Sequence, residues 1–143
     1  MTRAPCATKC VEGDAVKIIL MSVFVDDQEK AKDFYTRVLG FLPKNDSPVG
    51  NYRWLTVVSP EGPDDVELLL EPNDNPIAQA YQQGLHAQKI AAATFGVEDV
   101  HREYVRLKEL GVQFTLEPAK MGPVNIAVFD DTCGNLIQIA SPA

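Results

Sequence analysis

Two stretches decide the fold: residues 25–41, VDDQEKAKDFYTRVLGF, and residues 97–112, VEDVHREYVRLKELGV. Each runs from the end of an apolar strand through an acidic start into a helical pattern that stops at Gly, and the second follows the first by 71 to 72 positions. In the first, Ala31, Phe34, Tyr35, Val38 and Leu39 fall on one stripe of a helix, with charged side chains opposite. Asp26 or Asp27 can cap the free N–H groups at its start, and Gly40 can take the left-handed conformation that ends it. In the second, Val100, Tyr104, Leu107 and Leu110 form the stripe, Asp99 is the cap and Gly111 the stop. The chain reads as one unit used twice.

Working outward, residues 16–25 (VKIILMSVFV) form a strand buried on both faces. After the first helix come a short segment at 41–44, a polar turn NDSPVGN, a strand at 52–58, a loop SPEGPDD and a strand at 66–71, which completes a βαβββ module. Residues 72–88 read as a linker with a short helix around 77–83, because Pro76 suits a first helical turn. The second half repeats the order: strand 90–97, helix to Leu110, strand 112–116, a turn at 118–123, then a hairpin of 124–129 and 136–140 across DDTCGN. The expected organisation is a mobile leader at 1–14 and one domain at 15–143, with module 1 about 15–71, linker 72–88 and module 2 about 89–141.

Side chains alternate faces along a strand. Met21, Val23 and Val25, Val66, Leu68 and Leu70, Ala93, Phe95 and Val97, and Ile137 and Ile139 make apolar rows suited to packing under the helices. The opposite rows mix polar and apolar groups: Leu20, Ser22, Phe24, Trp54, Thr56, Glu67, Leu69, Glu71, Ala92, Thr94, Asn125 and Gln138. An offset of 71 superposes the two hairpins, which makes Trp54, Thr56 and Val58 the counterparts of Asn125, Ala127 and Phe129. The fold class is α+β, two βαβββ modules forming a curled mixed sheet around a cleft.

Thirteen basic against twenty acidic side chains give a formal charge of −7, which argues against nucleic acid as a partner. No apolar run reaches the ~18 to 20 residues that span a bilayer, and residues 1–13 lack the apolar middle of a signal peptide. The cytoplasm is the expected compartment, and the odd count of Cys6, Cys10 and Cys133 fits reduced thiols. Cys6 and Cys10 are spaced by four positions, but no second Cys/His pair follows to complete a zinc site.

The paired βαβββ units, the phrase DDQEKAKDFYTRVLGF and the closing FDDTCGNLIQIA resemble the vicinal oxygen chelate superfamily, which groups glyoxalase I, bleomycin-resistance proteins and extradiol dioxygenases. The likeness covers about residues 16–141 and implies the glyoxalase/bleomycin resistance/dioxygenase fold. Metal-binding members carry one ligand on the first and one on the last strand of each module. The resemblance places those positions at Leu20 and Glu67 and at Ala92 and Gln138. Two oxygen ligands facing two hydrocarbon side chains are a poor cation site, so neither metal nor cofactor is expected. His86 and His101 read as surface histidines.

Three functions are compatible with this set. The leading one is a metal-independent small-molecule-binding or resistance-type protein, with Trp54 and Phe24 stacking on a flat guest and Glu67 and Glu71 drawing positive charge. The alternative is a metal-free enzyme in which desolvation raises the Glu67 carboxyl toward a general base, with Gln138, Thr56 and Asn125 orienting the substrate. A metal-dependent lyase of the lactoylglutathione lyase kind, or a dioxygenase, ranks below both. The resemblance also implies a homodimer.

Overall fold

The computed structural model describes residues 15–143, so the leader expected at 1–14, with Cys6 and Cys10, lies outside the described residues. β1 (Leu20–Val25) leads into α1 (Gln28–Asp33), where the Asp27 carboxylate accepts from the Lys30 N–H and caps the first turn. The helix continues as a π-helical turn, Phe34–Val38. From Val25 to Gly40 the first copy holds one residue more than the second holds from Val97 to Gly111. The wider π turn absorbs that residue, and the adjacent Phe34 and Tyr35 both point into the core.

β2 (Leu42–Val49), β3 (Tyr52–Val58) and β4 (Glu67–Pro72) complete a four-stranded sheet in the order β1-β4-β3-β2, with β1 parallel to β4. α2 (Pro76–Ala87) crosses to β5 (Ala93–Gly96), α3 (Val100–Glu109), β6 (Phe114–Met121), β7 (Val124–Asp130) and β8 (Leu136–Pro142). The second sheet repeats the order as β5-β8-β7-β6, with β5 parallel to β8. The architecture is α+β, two mixed sheets with three helices and no closed barrel.

Several spans differ from their sequence reading. The first strand begins at Leu20 rather than Val16 and is not buried on both faces, since Val23 and Val25 are buried but Ile18, Ile19 and Met21 are exposed. The polar stretch NDSPV is not a turn but most of β2, pairing Ser47 with Trp54 and Pro48 with Arg53, and only Gly50 and Asn51 turn the chain. Likewise Pro118 lies inside β6, and the turn is confined to Gly122 and Pro123. Both strands are sheet edges, where a proline lacks no ladder bond and polar side chains deter stray pairing. The linker helix is also longer than 77–83, because Asn75 caps it through the Ala78 N–H and Pro76 starts it.

One core joins the halves. Val23, Val25, Leu55, Val57 and Leu70 of the first sheet, Ala127, Phe129, Ile137 and Ile139 of the second, and Ala31, Phe34, Tyr35, Val100 and Leu107 of the helices form a single buried cluster. Aromatic contacts cross the seam, with Phe34 6.2 Å from Phe129 and Phe41 5.1 Å from Phe95. A polar knot closes the same seam. The Tyr35 hydroxyl of the first half donates to buried Asp131 of the second at 2.6 Å, and Asp131 also accepts from the Cys133 and Asn135 N–H groups and the Asn135 amide. Gln82 of α2 ties in both halves by donating to the carbonyls of Phe24 and Cys133. Burial pushes the Tyr35 hydroxyl well above its usual range, and burial raises the Asp131 carboxyl even though its hydrogen bonds pull it down.

Candidate ligand-binding site

The faces opposite the shared core carry the candidate residues. On the first sheet, the pairings Leu20 to Glu67, Ser22 to Leu69, Phe24 to Glu71 and Thr56 to Leu69 put all of them on one face, joined by Trp54. Because directly paired residues share a face, the β2 strand adds Asn45, opposite Thr56, and Ser47, opposite Trp54. Trp54 remains 41% exposed, while Leu69 and Thr56 on the same face are buried.

Glu67 is the polar centre of this face. It receives a hydrogen bond from the Thr56 hydroxyl, another from the Asn45 amide at 3.1 Å, and the Lys44 ammonium at 3.5 Å. The Thr56 oxygen in turn accepts from the Asn45 backbone N–H at 3.2 Å. These donors, Thr56 foremost, hold the Glu67 carboxyl below its ordinary value and outweigh its partial desolvation. The expectation that desolvation would raise it toward a general base is therefore corrected: Glu67 is a firmly ionised, hydrogen-bonded carboxylate. Asn45 escaped the sequence reading because it sits in the stretch taken for a turn, and Lys44 because it ends the short segment just before it.

On the second sheet, Gln138 pairs with Thr94, and its amide donates to the Thr94 hydroxyl at 3.2 Å. Gln138 also lies opposite Val128. That pairing overturns the hairpin equivalence. In the first hairpin Thr56 and Leu69 face outward together, whereas in the second it is Ile126 with Ala140 and Val128 with Gln138. Asn125, Ala127 and Phe129 instead share a face with Ser141, Ile139 and Ile137, which is the helix side. Ser141 caps α3 by accepting from the Val100 N–H there. The two hairpins differ in length by one residue, and a one-residue slip exchanges the faces of a whole strand. Asn125 therefore does not join Gln138, and Ile126 and Val128 take its place.

The family's metal positions do not fit a cation here. Leu20 sits directly across from Glu67, Thr94 rather than Ala92 is the partner of Gln138, and the Glu67 oxygens are already engaged by two neutral donors and an ammonium. Among the described residues, no three His, Cys, Asp or Glu side chains gather as a metal-binding group. His86 is paired with Asp130 at 3.0 Å, and His101 is exposed on α3. Arg53, read as an edge residue, forks onto Asp46 at 2.9 and 2.7 Å and reaches Glu29 at 2.7 Å.

A cavity of about 500 Å³ lies between α2 and β1, lined by Ser22, Phe24, Ile77, Tyr81, Gln82 and Ala92 among others. It brings three of the expected cleft residues together. Trp54, Thr56, Glu67, Leu69 and Gln138 do not line it. The Trp54 row and the Gln138 row lie on separate sheets, and no strand pairing or side-chain hydrogen bond links the two rows among the described residues.

With this geometry, the comparisons with known proteins agree. The family model for the Glyoxalase/Bleomycin resistance protein/Dioxygenase superfamily matches residues 17–139. The chain belongs to that superfamily. A relative in Bacillus subtilis (strain 168), the uncharacterized protein YurT, is 57% identical over 124 residues, 87% of this chain and 98% of that protein. Among solved structures, UcmS2 superposes with a TM-score of 0.77 at 32% identity, over 88% of this chain and 98% of that one. TnmS3, an antibiotic binding protein from Streptomyces sp. CB03234, superposes with a TM-score of 0.70 at 29% identity, over 91% of this chain and 98% of that one. No helix among the described residues is long and apolar enough to cross a membrane.

Proposed function

We propose that this superfamily member is a metal-independent small-molecule-binding protein that takes a planar aromatic guest against the Trp54 face. The observation that carries the reading is the state of Glu67: it faces Leu20, is engaged by Thr56, Asn45 and Lys44, and shares its sheet face with Leu69 and, further along the strands, with Phe24 and the exposed Trp54. Such a surface can stack and bury a flat ring but offers no open metal position and only a weak base. The likeness to TnmS3, an antibiotic binding protein, supports a small-molecule ligand. Within one chain Ala92 meets Ser22 and Phe24 at the α2 cavity, but the Trp54 row and the Gln138 row are linked by no strand pairing or side-chain hydrogen bond among the described residues, so the site closes across a homodimer. The Leu20, Trp54, Thr56, Glu67 and Leu69 face of one copy meets the Thr94 and Gln138 face of the other. Cys133, buried and without a disulfide partner among the described residues, suits the reducing cytoplasm as the place of action.

Trp54 is the only tryptophan, so its emission reports this face alone. Titration with proflavine, a planar cation, and with anilinonaphthalenesulfonate, an aromatic anion, is expected to quench it saturably. Two flat, unresponsive titrations would overturn the reading.

A further inference from the structure

A second cavity, of about 640 Å³, lies at the seam between the halves, lined by residues within 39–62 of the first and 94–139 of the second, and none of the residues that carry the proposed aromatic site lines it except Thr94. Its floor is apolar: Phe41 and Phe95 meet edge to face at 5.1 Å, flanked by Leu107 and Ile139. Its rim is acidic, carrying Glu61, Glu98 and Glu103 and no Lys, Arg or His. Glu103 is neutralised by Arg106, but among the described residues Glu61 and Glu98 make no ion pair. The cavity thus presents an aromatic-lined hollow with two uncompensated carboxylates at its mouth, on a chain whose formal charge is −7.

We propose that this seam cavity is a second ligand site, selective for a lipophilic organic cation. Its volume lies within the ~300–1,000 Å³ range of small-molecule pockets. Aromatic faces attract a cation through their quadrupole, and the floor removes the attached hydrocarbon from water. The carboxylates select the sign of the charge: a cation gains Coulomb attraction at the rim, while an anion of the same shape is repelled.

Gly96 gives a clean way to close the cavity. It lines the hollow, its backbone is in an ordinary conformation, and a Cβ built on it meets no atom within 4 Å. Gly96→Phe therefore fills the space without a clash at its root.

The test is fluorescence anisotropy of rhodamine 6G, a lipophilic cation, with fluorescein as the anionic dye of similar size, using the full chain. With the Trp54 face blocked by Ser22→Arg in every sample, the otherwise wild-type chain is expected to bind rhodamine 6G saturably and fluorescein not at all. Gly96→Phe should abolish the saturable signal, and Glu61→Gln with Glu98→Gln should weaken it by at least about threefold, given the modest worth of each exposed charge. Added salt should weaken it in the wild type more than in that double variant. A wild type that binds no rhodamine 6G, that binds fluorescein equally, or whose affinity is unmoved by both variants would overturn the proposal. Thermal melts check that each variant folds, and the carboxylate pair decides alone if Gly96→Phe does not. Trp54 quenching is a separate readout, so failure here and failure of the aromatic site are told apart.

Discussion

Replacing Tyr35 by Phe removes one oxygen from the most deeply buried polar contact between the two halves. Tyr35 and Asp131 are both fully buried, and the lost bond is a 2.6 Å donation to a carboxylate. Asp131 keeps three donors, the N–H groups of Cys133 and Asn135 and the Asn135 amide. A hydrogen bond to a charged group contributes about 1.5–3 kcal/mol, so a loss of about 2 kcal/mol is expected near neutral pH. For a chain of this size that corresponds to a fall in Tm of roughly 6 °C. The pH dependence is a sharper check. Burial raises the Asp131 carboxyl, so the native state binds its proton more readily than the unfolded chain, and stability falls as pH rises from the unfolded value of about 3.9 through the folded one. The Tyr35 bond pulls that folded value down. Without it the value rises further, the fall extends over a wider window, and the cost of the substitution is largest above that window and smaller in acid. Thermal melts of both proteins at equal concentration, at pH 7 and pH 4, measure this. A Tm within about 1 °C of wild type at pH 7, or a penalty equal at both pH values, would refute the role given to this pair.

Gly134 has φ +103°, and a Cβ there would stand 2.7 Å from the Gln82 amide, which its own hydrogen bonds hold in place. Gly134→Ala should therefore cost more than the ~1 kcal/mol of an ordinary strained site, read as a lowered urea midpoint; an unchanged midpoint would contradict the rigidity assigned to Gln82. The Glu67 carboxyl is held low, so its contribution to stability is present above its unfolded value and is lost as pH falls through the folded one. Lys44→Met should move its titration upward, as followed by carboxyl carbon NMR, and no movement would remove Lys44 from the site. Burial pushes the Cys133 thiol up to about 12, so native protein should react with a thiol reagent at this residue only on unfolding; prompt labelling of Cys133 would contradict the packing of the β7–β8 turn.

Most of the helix stripes and both Gly stops were legible because amphipathic periodicity and caps are local signals; of Asp26 and Asp27 it is Asp27 that caps, Asp99 caps as read, and Leu110 of the second stripe lies exposed past the helix end. The edge strands were not. Pro48 and Pro118 speak for turns locally, and only their place at the rim of a sheet makes them strands. The one-residue difference between the hairpins was invisible for a related reason. Val58 to Glu67 and Phe129 to Gln138 span equal lengths in sequence, but register is set by pairing across the turn, and that sent Asn125 to the helix side. The rows of the first sheet's outer face were readable from alternation, but the pairing of Leu20 with Glu67 rested on the family resemblance. The charge state of Glu67 was not, because it depends on Asn45 and Lys44 across the strand.

The most direct measurement is complementation between two spoiled copies. Ser22→Arg blocks the outer face of the first sheet and Thr94→Arg that of the second, both at exposed positions. Each homodimer should lose ligand-induced quenching of Trp54. When the two are unfolded together and refolded as an equal mixture, random pairing in a twofold dimer leaves about a quarter of the composite sites intact. Recovery of about a quarter of the wild-type quenching amplitude is the predicted result. A mixture that binds no better than its parents, or a single variant that binds as well as wild type, would contradict a site shared between two copies.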